Sequence, residues 1–336
     1  MRVLSYFSLL LLQYAMGDLS RLPCESECAS STHCSPTFWG ATIAQSRARS
    51  AGCEVILYTV STEPNTRRIV PGPADNVGCN IAFVAEGTVR NTAGFANWTL
   101  VHVNSTNSSQ QFPNARKASR VPKLSPGLFF ADSVKYAVYV DSILHLKVPV
   151  SRLLNWSMPA DTDREVVMAV MAHSFTDNLH AEFKVIGKVR LRRPHITHQW
   201  ALLQAQHKNY TEYEATHPGL VYNVMFEGSA LVHNVHSPLG KKWRCDWYKE
   251  YNRWADRDQM PGCFMASKLH YQASRGSQTR SAPTNYLDTP VADGFIPIYA
   301  KEEAAAALYL FPRKQAREIL VTDRTIRSTI HRRLSL

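Results

Sequence analysis

Beyond its first dozen residues the chain has no apolar run long enough to cross a membrane. It also lacks Gly-x-Ser-x-Gly, His-Glu-x-x-His and the Gly-x-x-x-x-Gly-Lys-Ser/Thr phosphate loop. Serine-hydrolase, zinc-protease and P-loop readings therefore have no anchor. No internal repeat is present, which sets solenoids and propellers aside. Acids are scarce as well: 27 Asp and Glu face 38 Lys and Arg over 336 residues, a net charge of +11. Such a balance ordinarily raises nucleic acid as a partner. The compartment inferred below favours other polyanions, so no nucleic-acid partner is expected.

The leader is what identifies the compartment. Arg2 supplies a positive start, residues 3–12 an apolar stretch, and Ala15-Met16-Gly17 a small-x-small cleavage site. Residues 1–17 are expected to be a signal peptide; the alternative is an uncleaved signal anchor. Five Asn-x-Ser/Thr sequons, at Asn97, Asn104, Asn107, Asn155 and Asn209, agree with passage through the secretory lumen and are expected on surface loops. All seven cysteines follow the leader, as a disulfide-forming compartment would have it. Their odd number leaves one thiol free or intermolecular, and their pairing is not fixed by sequence. A zinc site from Cys24, Cys28, Cys34 and His33 is the alternative for the first cluster. The expected location is the Golgi lumen or the cell exterior. There, acidic polysaccharides or lipid headgroups are the polyanions that residues 311–336 could meet, with seven Lys/Arg against two acids. A solvated tail with no partner is the plainer reading.

Four segments are expected: the leader, a Cys-rich stem over 18–50, a main domain over 51–272, and a linker with a basic helical tail over 273–336. Within the main domain, strands are expected at 53–60, 80–84, 99–103, 136–140, 165–172 and 219–232. Helices are expected at 149–156, 179–190, 197–206 and 243–255, with a short one opening 124–133. The alanine-rich stretch 301–310 is expected to be helical, and Ile319, Ile326 and Ile330 suggest a helical face beyond it. Strands alternating with helices indicate an α/β fold on a mixed sheet. Trp243, Trp247, Tyr251 and Trp254 recur at spacings of three and four, which packs them on one helix face.

Two stretches concentrate the polar chemistry. In RVPKLSPGLFFADSVKYAVYVDSILHL (residues 120–146) an acid, Asp141, follows a buried-strand pattern. In WRCDWYKEYNRWADRDQ (residues 243–259) an Arg-Asp-Gln triplet follows an aromatic helix. An acid at a strand tip, met by a polar cluster from a later helix, is how α/β folds commonly build a site. The plain alternative is a salt-bridge network joining helix to sheet. The other Asp-x-Asp triplets, 161–163 and 256–258, read as a surface turn and as a helix edge whose acids diverge. His195 with His198, and His233 with His236, read as structural or surface histidines.

These stretches, together with EGSALVHNVH (residues 227–236), resemble the glycosyltransferase-like domain family of plant turgor-regulation and mucilage-related proteins. Arg120, Lys123, Pro126, Asp141 and Leu146 match its first motif. Trp247, Glu250, Arg253, Arg257, Asp258 and Gln259 match its last, and His173 with Glu182 its His and following acid. The resemblance implies a single Rossmann-like, GT-A-like sheet flanked by helices, a nucleotide-sugar donor and a glycan acceptor. It implies Asp141 on the donor ribose or a Mn²⁺ or Mg²⁺ ion, and Asp258 as acceptor-side base or sugar ligand. Arg257 and Lys123 would offset diphosphate charge, with Arg120 and His173 also in the substrate site. Glu250 and Gln259 would orient these groups. The chain departs from the family at residues 61–68 (STEPNTRR), at Ala85-Glu86, at Gly127 and at Ile143. Those departures carry the alternative of a non-catalytic polysaccharide binder. A lumenal ceramidase-type amide hydrolase is a third reading, for which the sequence offers no convincing metal-ligand set.

Overall fold

In the computed structural model the described residues are 36–61, 79–85, 98–103, 115–142, 144–158, 165–173, 176, 178–190, 199–218, 220, 222, 225–255, 257–276, 295–301, 304–311 and 320–322. The predicted signal peptide, the first cysteine cluster, Asp161, Asp163, His195, His198 and the sequons at Asn97, Asn104 and Asn107 lie outside them.

Helix α1 (Pro36–Ser50) leads into β1 (Val55–Ser61), β2 (Asn80–Ala85) and β3 (Thr99–Val103). After α2 (Ala115–Leu124) and α3 (Pro126–Phe129) come β4 (Tyr136–Val140), β5 (Leu144–Leu146), α4 (Val150–Ser157) and β6 (Glu165–Ala172). Helix α5 (Leu179–Val185) runs into a π-helical turn, Ile186–Arg190, before α6 (Trp200–Thr216). Strand β7 (Phe226–Asn234), α7 (Pro238–Arg253), α8 (Gln259–Gly276), β8 (Phe295–Lys301), β9 (Ala304–Phe311) and β10 (Leu320–Thr322) complete the order.

Eight strands form one mixed sheet in the order β3-β2-β1-β4-β7-β6-β9-β8. The pairs β3–β2, β2–β1, β1–β4 and β6–β9 are parallel; β7 is antiparallel to both β4 and β6, and β8 to β9. The chain builds outward from β1 through β2 to β3, then returns to place β4 on the other side of β1. That reversal leaves a crevice at the carboxyl ends of β1 and β4, where open α/β sheets place ligands.

Both sheet faces are covered, which is why the central strands read as apolar runs rather than alternating ones. On β4, Ala137 and Tyr139 face one core with Tyr58, Phe83, Phe129, Trp243 and Trp247, while Val138 and Val140 face the other with Val150 and Leu153 of α4. The aromatic stripe of α7 is core: Trp243, Trp247 and Tyr251 are fully buried. Ser237 caps that helix by accepting from Gly240 N at 2.7 Å, and Pro238 opens it. A disulfide joins Cys53 to Cys79 across the starts of β1 and β2. Cys245 is also disulfide-bonded, and among the described cysteines the buried Cys263 is the free thiol.

Several expectations change. Half of the stretch read as a stem is α1, whose Trp39 packs edge-on against Phe129 and whose Thr42 hydroxyl donates to His102 O. The alanine-rich segment is strand β9, not a helix. Parallel pairing with β6 and antiparallel pairing with β8 outweigh the modest helix preference of four alanines. Ile319, Ile326 and Ile330 of the expected helical face lie outside the described residues; the described stretch among them is β10, which pairs antiparallel with β5. Most of α2 lies outside the expected elements. Asn155 and Asn209 are exposed as expected but lie on α4 and α6, not on loops.

Candidate functional site

Strand order brings the two polar stretches together at the carboxyl edge of the sheet. On α2, Arg120 and Lys123 are three residues apart and so share a face. Asp258 sits just ahead of α8, with its carbonyl accepting from Trp247 Nε1 at 2.8 Å and from Gly262 N at 3.2 Å. Lys123 Nζ donates to Asp258 Oδ2 at 2.5 Å, and Arg120 Nε lies 3.3 Å from the same oxygen. Lys123 also stands 4.9 Å from the centre of the Tyr139 ring.

Asp258 is only 5% exposed. Burial alone would raise its pKa, but Arg120, Lys123 and then Arg257 outweigh that and hold the carboxyl well below the usual range. Burial lowers the Lys123 pKa despite the attraction of Asp258. For Arg120, burial opposes the charge, and Asp258, Tyr139 and Asp141 restore it, so the guanidinium pKa stands above its ordinary value. A carboxylate held this low has little proton affinity, so Asp258 is suited to orienting cations rather than abstracting a proton.

Asp141 follows β4 and is half-buried. Its backbone N–H donates to Ser229 O at 2.8 Å, and the Tyr139 hydroxyl donates to its Oδ1 at 2.5 Å. Burial, with the Asp141 charge adding to it, raises the Tyr139 pKa and keeps the phenol protonated as that donor. Next to it β7 is irregular. Its register against β6 jumps from Val170↔Leu231 to Met171↔Glu227, so residues 228–230 bulge toward the edge. Gly228 in this stretch lies against the ion pair: a β-carbon there would stand 2.9 Å from Lys123 Nζ and 3.1 Å from Asp258 Oδ2.

A second buried network adjoins the first. The Thr176 backbone N–H donates to His173 Nδ1 at 3.0 Å. That nitrogen must carry a lone pair, so in the neutral ring Nε2 bears the proton, 3.6 Å from Glu182 Oε2. Arg257 Nη2 donates to Glu182 Oε1 at 2.5 Å and to Gln259 Oε1 at 2.8 Å. Glu182 is fully buried, a position a carboxylate holds only when paired. Asn178 fixes its helix by accepting from Ala181 N.

Of the residues expected in the site, Arg120, Lys123, Asp141 and Asp258 meet in one cluster, and His173, Glu182, Arg257 and Gln259 in its neighbour. Glu250 belongs elsewhere: it accepts from Tyr210 at 3.0 Å, Trp254 at 2.6 Å and Arg253 at 3.1 Å, tying α7 to α6. His233 is a buried core residue and His236 is exposed. Sequence reasoning missed Tyr139, Gly228 and Ser229. The only available signal was the stretch EGSALVHNVH, whose glycine marks a close approach.

Among the described residues no three His, Cys, Asp or Glu side chains are grouped to hold a metal ion. Asp141 offers one carboxylate, enough for a Mg²⁺ or Mn²⁺ ion that takes its other oxygens from phosphates and water.

A mixed α/β sheet with an acid beyond β4, two cations beside it and a helix N-terminus closing the cluster makes this an α/β protein with a polar cluster at its topological switch. The chain matches the TOD1/MUCI70, glycosyltransferase-like domain over residues 75–279, more than half its length, and belongs to that family. No curated protein sequence matches it. Among solved structures it is similar to mouse xyloside xylosyltransferase 1 in its apo form, at 9% identity and a TM-score of 0.35 over 62% of this chain and 80% of that one. It is also similar to the galactosyltransferase LgtC in complex with donor and acceptor sugar analogs, at 16% identity and a TM-score of 0.32 over 62% of this chain and 70% of that one.

Proposed function

We propose that the chain is a glycosyltransferase of the secretory pathway, moving a sugar from a nucleotide-sugar donor to a cell-wall or secreted glycan. The observation that carries this reading is the convergence of Asp141, Arg120 and Lys123 at the switch point of a domain belonging to a glycosyltransferase-like family. Asp141 would contact the donor ribose or hold a divalent cation, which supplies charge neutralisation to a departing diphosphate when bound. Counted at ordinary charges, Arg120, Lys123 and Asp258 leave one net positive charge beside it, suited to a diphosphate. Asp258 keeps the two cations in place, and Glu182 with Gln259 does the same for Arg257. His173, held as the Nε2–H tautomer, would donate rather than accept.

A non-catalytic polysaccharide binder is the second reading. It is favoured by the locking of both Arg120 and Lys123 onto Asp258, which leaves less positive charge for a donor. The deciding experiment incubates the purified protein with a panel of nucleotide sugars and glycan acceptors, with Mg²⁺ or Mn²⁺ present. It follows nucleoside-diphosphate release and acceptor mass. Transfer by the wild type, abolished in Asp141→Asn, supports the transferase. Retention on a polysaccharide array without turnover would replace it with the binder.

A further inference from the structure

Away from the candidate site, α5 and α6 bring together His180, His207 and Glu214. His180 Nδ1 lies 2.9 Å from His207 Nε2, and His180 Nε2 lies 2.8 Å from Glu214 Oε2. The carboxylate can only accept, so His180 Nε2 bears a proton and, in the neutral ring, Nδ1 presents a lone pair. The His207 Nε2 proton then sits between two imidazole nitrogens. We propose that this position is a transition-metal site, in which Cu²⁺ or Zn²⁺ takes the place of the shared proton, that proton moving to His207 Nδ1 so that the ring stays neutral, and is bound by His180 Nδ1 and His207 Nε2, with water completing the shell.

Four features support the site. Metal–nitrogen bonds of about 2.0–2.1 Å drawn to atoms 2.9 Å apart enclose about 90°, the angle between neighbouring positions of a tetragonal Cu²⁺ shell. Widening the gap to about 3.4 Å gives the tetrahedral angle Zn²⁺ prefers. Glu214 stands where an outer carboxylate belongs, on the far nitrogen of a ligating histidine, fixing its tautomer and raising its basicity. The rings are already held: Phe183 stacks on His207 at 4.0 Å and 9°, Trp200 stacks on Phe183, and the two imidazoles meet at 88°. The His180 and Glu214 side chains are each 30% exposed, so water and ions reach them.

Burial and the neighbouring His180 lower the His207 pKa, with Glu214 opposing and Lys184 adding to the effect. Lys184 works against a bound cation. The site differs in chemistry from Asp141, since imidazole nitrogens select d-block ions over Mg²⁺. An ion there would staple α5 to α6, and α5 is the helix that presents Glu182 to Arg257. The inference does not depend on transferase activity.

The test is calorimetric titration of the untagged protein with Cu²⁺, Zn²⁺ and Mg²⁺ in a non-chelating buffer near pH 7. The chain has 13 histidines, so position is read from variants. One saturable site is expected for Cu²⁺, bound there more tightly than Zn²⁺, and any Mg²⁺ binding should be indifferent to the two histidines. His180→Gln and His207→Gln should each weaken Cu²⁺ binding at least tenfold, and Glu214→Gln by about tenfold or more. His236→Ala and Asp141→Ala should leave it unchanged. Electron paramagnetic resonance of the wild type with one equivalent of Cu²⁺ should show coupling to two nitrogens, which needs no variant to fold. Absence of saturable binding, binding undiminished in the double variant His180→Gln/His207→Gln, or binding lost in His236→Ala or Asp141→Ala would each overturn the proposal.

Discussion

Asp258 brings a negative charge into the interior because two cations from a helix 135 residues earlier in the chain meet it there. Removing its charge should strand both. Asp258→Asn is expected to destabilise the fold by about 3–5 kcal/mol, the usual cost of breaking a buried ion pair from one side, read from urea unfolding. The same geometry sets a pH dependence. A carboxyl with a depressed folded pKa contributes stability that is complete above its unfolded value of about 4 and is lost as pH falls toward the folded value. Wild-type stability should therefore drop on acidification below about pH 5, and Asp258→Asn should flatten that slope. Motif matching grouped Arg120, Lys123 and Asp258, and the fold brings the three side chains into contact. It gave Asp258 the role of acceptor-side base or sugar ligand, because sequence shows neither its burial nor the two cations that hold its carboxyl in the charged form. Glu250 was misplaced for a related reason. Spacing puts it on the site-bearing helix, but only packing shows that its carboxylate turns toward Tyr210 and Trp254.

Helix α8 is held against the sheet at Gly262, where a β-carbon would come within 2.7 Å of both Phe226 Cζ and Trp247 Cε2. Those rings are fixed by the core, so they cannot yield as a flexible side chain would. Gly262→Ala should lose about 1–3 kcal/mol despite the better helix propensity of alanine, seen as a lower thermal midpoint. Elements with strong local patterns were legible: 165–172 and 136–140 are strands with the expected bounds because each is buried on both faces. Elements that depend on distant partners were not. Strand β9 carries alanines that favour a helix in isolation, and only its neighbours β6 and β8 make it a strand. The β7 bulge escaped detection likewise, since its register is set by β6 rather than by its own residues.

At the scale of the whole molecule, the return of the chain from β3 to β4 creates the crevice, and no local pattern encodes that order. The α/β class was legible from alternation; the position of the candidate site was read from one acid at a strand tip and from a family motif. Secretory passage remains part of the proposal, and it has its own check. Asn155 and Asn209 are exposed on α4 and α6, so each should accept a glycan. Expressed through a secretory host, Asn155→Gln and Asn209→Gln should each migrate faster by one glycan, and glycosidase treatment should erase the difference. No helix among the described residues is long and apolar enough to cross a membrane.

Whether Asp141 and the Arg120–Lys123–Asp258 cluster form a donor site is decided by calorimetric titration with a panel of nucleoside-diphosphate sugars, with and without Mn²⁺, on wild type and Asp141→Ala. Saturable binding of one donor by the wild type, at least tenfold weaker in the variant, is the predicted result. A folded wild type that binds none of them, or binds as well without Asp141, would contradict it.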